Sequence, residues 1–181
     1  PIEKSVSEHV IAQKAEPEKI GNKLPDFTMD KRPIVSIIFL AFNALKYTKE
    51  CLDSVLLHTT YPYEIIIVDN NSTDGTTEYL REFTKDLAHI TFVENSENKG
   101  FSGGNNQGVS HAKGKYICLL NNDVHVTKHW LEGLVDAYEL DENIGMVGPV
   151  SNFISGRQKI ETTYTSVEKM HALADEIYQH N

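Results

Sequence analysis

The chain has 181 residues, a length that bounds one domain with at most an appendage. Hydrophobic residues make up 40% and charged residues 24%, a globular balance with enough apolar mass for a real core. The formal charge of −9 argues against a nucleic-acid or polybasic membrane surface, so a bound anionic nucleotide would need a cation or a few placed basic groups.

Cys51 and Cys118 both lie inside apolar patterns and are expected as buried free thiols rather than a disulfide or a metal site. No run approaches the length of a membrane span and no signal peptide is visible. The default location is therefore cytoplasmic, with the inner face of the membrane as its variant. Residues 1–32 read as a polar extension containing Pro17, Gly21 and Pro25, with Val6, Val10 and Ile11 as one short helical face.

Past Pro33, residues 34–40 are β-branched and short, a strand ending at Ala41-Phe42-Asn43. A helix follows with Tyr47, Cys51, Val55 and Leu56 at helical spacing, closing near 58–60. Residues 64–69 form a second buried strand that ends in Asp69. The turn Asn70-Asn71-Ser72-Thr73-Asp74-Gly75 leads to a helix from Thr76 through Tyr79, Leu80 and Phe83. A third strand covers 90–93. Residues 101–108 read as a small-residue loop, with a helix fitting about 104–112. Residues 116–120 are an apolar run that fits a strand covered on both faces and ends in Asn121-Asn122-Asp123. A helix over 128–138 turns Trp130, Leu131, Leu134 and Val135 inward. Residues 144–150 give a fifth strand, and 165–180 a last amphipathic helix with Val167, Met170, Leu173, Ala174 and Ile177 on one side. Strand and helix alternate, so the fold class is α/β with a mainly parallel sheet flanked by helices.

In such a sheet the polar groups at three strand ends, Phe42-Asn43, Asp69 and Asn121 to Asp123, lie on one edge and can converge on one ligand. Phe42 can stack on a nucleobase or pack under a loop. Asp69 can accept from a ribose hydroxyl or a base N–H, or cap the turn that follows it. The stretch 100–106 lets backbone approach a ligand and aim N–H groups at phosphate. It is neither a P-loop nor GxGxxG, which lowers the odds of an ATPase or a nicotinamide enzyme. Lys99 can supply local positive charge. Asp123 is a carboxylate where a hard cation touching a phosphate would sit, or an ordinary turn residue. His125 and His129, four apart without an adjacent Glu, read as surface residues, and Ser72 and Ser102 have no nucleophile-elbow context.

Taken together, Val35-Ser36-Ile37-Ile38, Ala41-Phe42-Asn43, Ile67-Val68-Asp69-Asn70-Asn71-Ser72-Thr73-Asp74-Gly75-Thr76, Asn98-Lys99-Gly100-Phe101-Ser102-Gly103-Gly104-Asn105-Asn106, and Leu120-Asn121-Asn122-Asp123 resemble the family 2 glycosyltransferases of the GT-A fold. The variant motifs look most like the rhamnosyltransferase-type branch of bacterial surface polysaccharide synthesis. The resemblance implies inverting transfer of a sugar from a nucleotide diphosphate donor (UDP- or dTDP-sugar) to a saccharide or lipid-linked saccharide hydroxyl. It implies a donor-nucleotide site drawn from Ala41, Phe42, Asn43, Asp69, Asn71, Lys99, Gly100, Gly103, Asn106, Asn121 and Asn122. Asp123 matches the last acid of the family's DxD motif and would bind Mg²⁺ or Mn²⁺.

This chain departs from that pattern at Asn121, where the family has the first acid, at Leu40 in place of Pro or Thr, and at Asn105 in place of Arg. The general base of the family lies beyond the fifth strand, and of the available acids neither Glu161 nor Glu168 is tied to that role. The expected organisation is an extension (1–32), a nucleotide-sugar-binding GT-A domain (33–156) and a helical segment (157–181) that begins an acceptor-side half absent from the chain. The alternative is a donor-nucleotide-binding module that does not turn over in this form. A pyrophosphorylase on a similar fold would carry a Gly-rich basic loop after the first strand, where this chain has Ala41-Phe42-Asn43-Ala44.

Overall fold

A computed structural model describes residues 34–152 and 156–180, and the predicted extension with its Val6, Val10 and Ile11 face lies outside them. The described residues form two compact units that divide between Val126 and Thr127.

The first unit alternates strand and helix: β1 (Val35–Ala41), α1 (Leu45–His58), β2 (Tyr63–Asp69), α2 (Thr76–Thr84), β3 (Ile90–Glu94), α3 (Gly100–Val109) and β4 (Tyr116–Asn121). All pairings are parallel and the strand order is β3-β2-β1-β4. The chain steps outward from β1 to β3, then returns to the other side of β1. That reversal creates a crevice at the carboxyl ends of β1 and β4, the place where open α/β sheets hold ligands.

The β-branched runs of β1 and β2 explain their central position, because each is covered on both faces. Ile38, Leu40, Ile66 and Val68 form one cluster, with Val93 and Ala112 packed against it. The alternate residues Ile37, Phe39, Ile65 and Ile67 are equally buried and fill the opposite face. Burying each such side chain stabilises the fold by roughly 1.5–3 kcal/mol.

The 101–108 stretch is helical rather than a loop, and α3 starts at Gly100, four residues before the expected start. Its glycines serve packing. A Cβ on Gly104 would meet Leu40 Cδ1 at 2.4 Å, and one on Gly108 would meet Ile38 Cγ2 at 2.4 Å. Spaced four apart, the two bare positions make one helix face that lies directly on β1.

β4 is an edge strand, so the expectation of cover on both faces fails. In register with Ser36 and Ile38, Ile117 and Leu119 are 44% and 54% exposed. Apolar composition alone could not show which face a helix covers. Tyr47, expected inward on α1, also faces water, while Cys51 and Val55 are buried. Both cysteines are free thiols, Cys51 buried and Cys118 half-buried.

The second unit contains α4 (Trp130–Glu139) and α5 (Val167–Gln179). The expected fifth strand over 144–150 does not form, and the local β feature is a single bridge, Ser151 to Lys159. Gly145, Gly148 and Pro149 interrupt that apolar run and weaken its strand propensity. Leu131 and Val135 are buried on α4, as expected. On α5 none of the five expected inward residues is fully buried, and Val167 is exposed. Ser166 caps α5 by accepting from the Lys169 N–H. His129 stacks on Tyr178 with ring centroids 4.6 Å apart, and Tyr178 reaches Asp136.

Candidate functional site

The ends of β1, β2 and β4 lie side by side, because Ala41 pairs with Asp69 and Leu40 with Asn121. Parallel strands are about 4.8 Å apart, so the residues following them crowd into one corner. Four connections build that corner.

The turn after β1 is held in an uncommon backbone. Asn43 and Ala44 are both left-handed, with φ of 56° and 62°. Such residues persist only where surroundings over-determine them. Here the Asn43 N–H donates to Ser72 Oγ at 2.8 Å, and Asn43 Oδ1 accepts from the Thr73 N–H at 2.8 Å. Its carbonyl accepts from Asn122 Nδ2 at 3.0 Å, which also donates to Thr48 Oγ1 at 2.9 Å. Asn43 and Asn122 therefore tie three loops together. Phe42, between them and the strand, is 49% exposed.

Asp69 is fully buried, and its carboxylate serves its own turn. It accepts from Ser72 Oγ, from Thr77 Oγ1 at 2.6 Å and from the Ser72 N–H at 3.3 Å. Of the two roles open to Asp69, the geometry displays the turn-holding one. Asn71 beside it is exposed and left-handed, with φ 67°.

Asp74 joins two helices. Its Oδ2 accepts from the first N–H of α1, Leu45, at 3.0 Å, and its Oδ1 from the N–H and hydroxyl of Thr76 at 3.1 and 2.6 Å. Neither Ala44 nor Gly75, the residues preceding those helices, supplies a side-chain cap. One carboxylate thus satisfies orphan donors at both helix starts. Slight burial raises its pKa, but the hydrogen bonds from Thr76 and Leu45 outweigh that and hold it below the ordinary aspartate value.

Asn70, not singled out in the sequence, is the most heavily bonded side chain of the corner. Its Nδ2 donates to Asn98 Oδ1 at 2.8 Å and to the Gly100 carbonyl at 3.1 Å. Its Oδ1 accepts from Asn95 Nδ2 at 3.1 Å and from the Lys99 N–H at 3.0 Å. A sequence signal existed in the recurrence of Asn at 70, 95 and 98, each just past a strand. Amides in turns are too common for that to be read alone.

Of the remaining expected site residues, Ala41 is fully buried at the end of β1, and most of the others face outward. Lys99, Gly100, Asn106, Asn121 and Asp123 are exposed, and Gly103 is half-buried. Lys99 Nζ donates to Gln107 Oε1 at 3.2 Å, and Gly100 has φ 71°. The Asp123 carboxylate has no hydrogen-bond or ion-pair partner among the described residues. Behind it, the Cys51 thiol donates to the Asn121 carbonyl at 3.5 Å. Burial pushes that thiol up to about 12, with the Val124 hydrogen bond opposing and the Asp123 charge adding. The contact links α1 to the end of β4.

The chain matches the model described as glycosyl transferase family 2 over residues 36–178. It belongs to that family. Among curated proteins this family 2 chain is 35% identical over 103 residues to a putative teichuronic acid biosynthesis glycosyltransferase, TuaG, of Bacillus subtilis, covering 56% of this chain. It is 30% identical over 125 residues to a chondroitin synthase of Escherichia coli, covering 69% of this chain. The chain spans 40% and 18% of the lengths of those two relatives. Among solved structures, S. aureus TarS 1-349 aligns with TM-score 0.50 and 24% identity, over 57% of this chain and 32% of that one. That likeness concerns the fold, and the four-stranded parallel sheet with its flanking helices is α/β of the GT-A kind.

Proposed function

We propose that this family 2 chain binds a UDP- or dTDP-sugar at the β1–β4 crevice and serves its transfer, with inversion, to a saccharide or lipid-linked saccharide hydroxyl. The setting is surface polysaccharide or cell-wall glycan synthesis, of the rhamnosyltransferase type. The observation that carries this reading is the reversal of strand order between β1 and β4. It sets exposed Phe42 on one side of the crevice and exposed Asn121 and Asp123 on the other.

The division of labour follows from exposure. Phe42 has an exposed aromatic ring for a base, and Asn71 and Asn106 are exposed amides available to the nucleotide. Lys99 and the backbone at Gly100 and Gly103 offer positive charge and N–H groups to a diphosphate. Asn43, Asp69 and Asn122 shape the walls through the hydrogen bonds given above, and Ala41 ends β1 beside Asp69.

The donor set at the β4 end fits Mg²⁺ or Mn²⁺, because an unpaired carboxylate and an amide oxygen are hard ligands. Asp123 would hold the ion, with Asn121 beside it and water and phosphate oxygens completing the set. Bound there, the ion supplies charge neutralisation for the departing diphosphate.

A donor-binding module without turnover is the second reading, and one observation favours it. Of the two available acids, neither of them tied to the role of base, Glu161 pairs with Lys159 at 3.1 Å. The Glu168 carboxyl is held below its ordinary range, chiefly by the Ser166 hydroxyl. That carboxyl is shifted away from the tuning a proton acceptor would need. Calorimetry with UDP and dTDP, with and without Mn²⁺, together with a transfer assay on a saccharide acceptor, separates the readings. Metal-dependent binding with transfer supports the enzyme, and binding without transfer supports the module. No nucleotide binding removes both.

A further inference from the structure

The corner contains one side chain whose hydrogen-bonding capacity is completely used by a single loop. A carboxamide has two N–H donors and two acceptor lone pairs. Asn70 spends both donors on Asn98 Oδ1 and the Gly100 carbonyl, and both lone pairs on Asn95 Nδ2 and the Lys99 N–H. It is 2% exposed, and its own N–H continues the sheet by donating to the Ala41 carbonyl at 2.8 Å. The amide is thus anchored to the strand ends and grips residues 95–100 at four points.

The grip is reinforced from the loop side. Asn98 Oδ1 accepts from the Gly100 N–H at 2.8 Å as well as from Asn70, so that oxygen is also saturated. The Asn95 N–H donates to the Asp69 carbonyl at 2.9 Å. Gly104, one turn into α3, has no Cβ, and one built there would sit 3.5 Å from Asn70 Nδ2. The segment held this way carries Lys99 and the first N–H groups of α3.

We propose that Asn70 is a positioning residue for the donor diphosphate. It fixes Lys99 and the first turn of α3 against the strand ends and makes no contact with the nucleotide itself. The inference rests on the donor-binding reading above and deepens it. A buried amide with no spare donor or acceptor has nothing left to offer a ligand, so its effect must pass through the loop. Burial also makes the network all-or-none, since a lost partner leaves buried polar groups unpaired.

The test is calorimetry on the full chain with Mn²⁺, comparing UDP with UMP and dTDP with dTMP, for Asn70→Ser, Lys99→Ala and the double variant. Asn70→Ser is expected to weaken diphosphate binding roughly tenfold while monophosphate binding changes twofold or less, a loss corresponding to one buried hydrogen-bonded hold. The double variant is expected to bind no worse than the weaker single variant, because Asn70 acts through the loop that carries Lys99. A purely structural residue would weaken both ligands alike and multiply with Lys99→Ala. Asn98→Ser removes one hold from the loop side, and the same diphosphate-selective loss is expected from it if Asn70→Ser fails to fold. Diphosphate affinity within twofold of the unsubstituted chain in a folded variant, or multiplying losses, overturns the inference alone. Absence of binding by the unsubstituted chain removes the donor reading and this inference with it.

Discussion

Single residues divide the corner into those that hold it and those left exposed, the latter being the ones the proposed function gives to a ligand. Asp123 is exposed and unpartnered among the described residues, so its removal is expected to leave stability within about 0.5 kcal/mol, as for ordinary surface changes. Asp123→Ala should nevertheless abolish Mn²⁺-dependent nucleotide binding. Unchanged Mn²⁺-dependent affinity with native circular dichroism would defeat the assignment. Asp74 is the converse case, a carboxylate spent on two helix starts. Asp74→Ala is expected to cost about 1–2 kcal/mol, the range for losing caps. Its folded pKa lies below the ordinary value of 3.8. The stabilisation is therefore complete above that value and lost as pH falls through the lower, folded one. Denaturant melts from pH 6 down to 2 should show a shallower acid loss in Asp74→Ala than in the unsubstituted chain. Equal slopes would mean that the cap does not titrate. The end of β4 at Asn121 was legible in the sequence because a polar cluster ended an apolar run. Asn70 was not, because nothing local distinguishes a turn amide from one gripping a loop 25 residues on.

At the level of elements, α3 shows why glycine content was misread as a loop. Gly100 to Gly108 has low helix propensity, and only its packing against β1 and β2 makes the helix pay. Strand propensity misled in the other direction at 144–150, where an apolar run found no ladder. β1 and β2 were legible, because dense β-branched runs bounded by turns leave few alternatives. The two packing glycines differ in a testable way. A methyl on Gly104 meets the end of a flexible Leu40 side chain, whereas one on Gly108 meets Ile38 Cγ2, fixed to a β-branched carbon in a central strand. Either Ala gains about 1 kcal/mol of helix propensity. Gly104→Ala is therefore expected to be near neutral, while Gly108→Ala loses about 1–3 kcal/mol to overpacking. Urea denaturation midpoints for the two variants decide this, and equal midpoints would show that the helix lifts off β1 at no cost.

Across the whole molecule, charge and site pull against each other. A formal charge of −9 surrounds the corner proposed for a diphosphate, and Lys99 is the basic side chain that the expected site supplies. Topology was the best-legible property at this scale, since alternating strands and helices dictate parallel pairing and so place the strand ends together. Which side of β1 receives β4 was not written in any one segment, yet that choice makes the crevice. The electrostatic consequence is measurable. Like charges repel over a Debye length of about 30 Å at 0.01 M salt but about 10 Å at 0.1 M. Without a divalent ion, UDP approaches a net-negative protein, so raising NaCl from 10 to 150 mM in EDTA should strengthen whatever binding exists. With Mn²⁺ held at Asp123, attraction at the site dominates, and the same salt increase should weaken binding. The sign of the salt slope should therefore reverse between EDTA and Mn²⁺ in the unsubstituted chain and remain unreversed in Asp123→Ala. A negative slope in both conditions would mean that basic groups, rather than a cation at Asp123, carry the diphosphate.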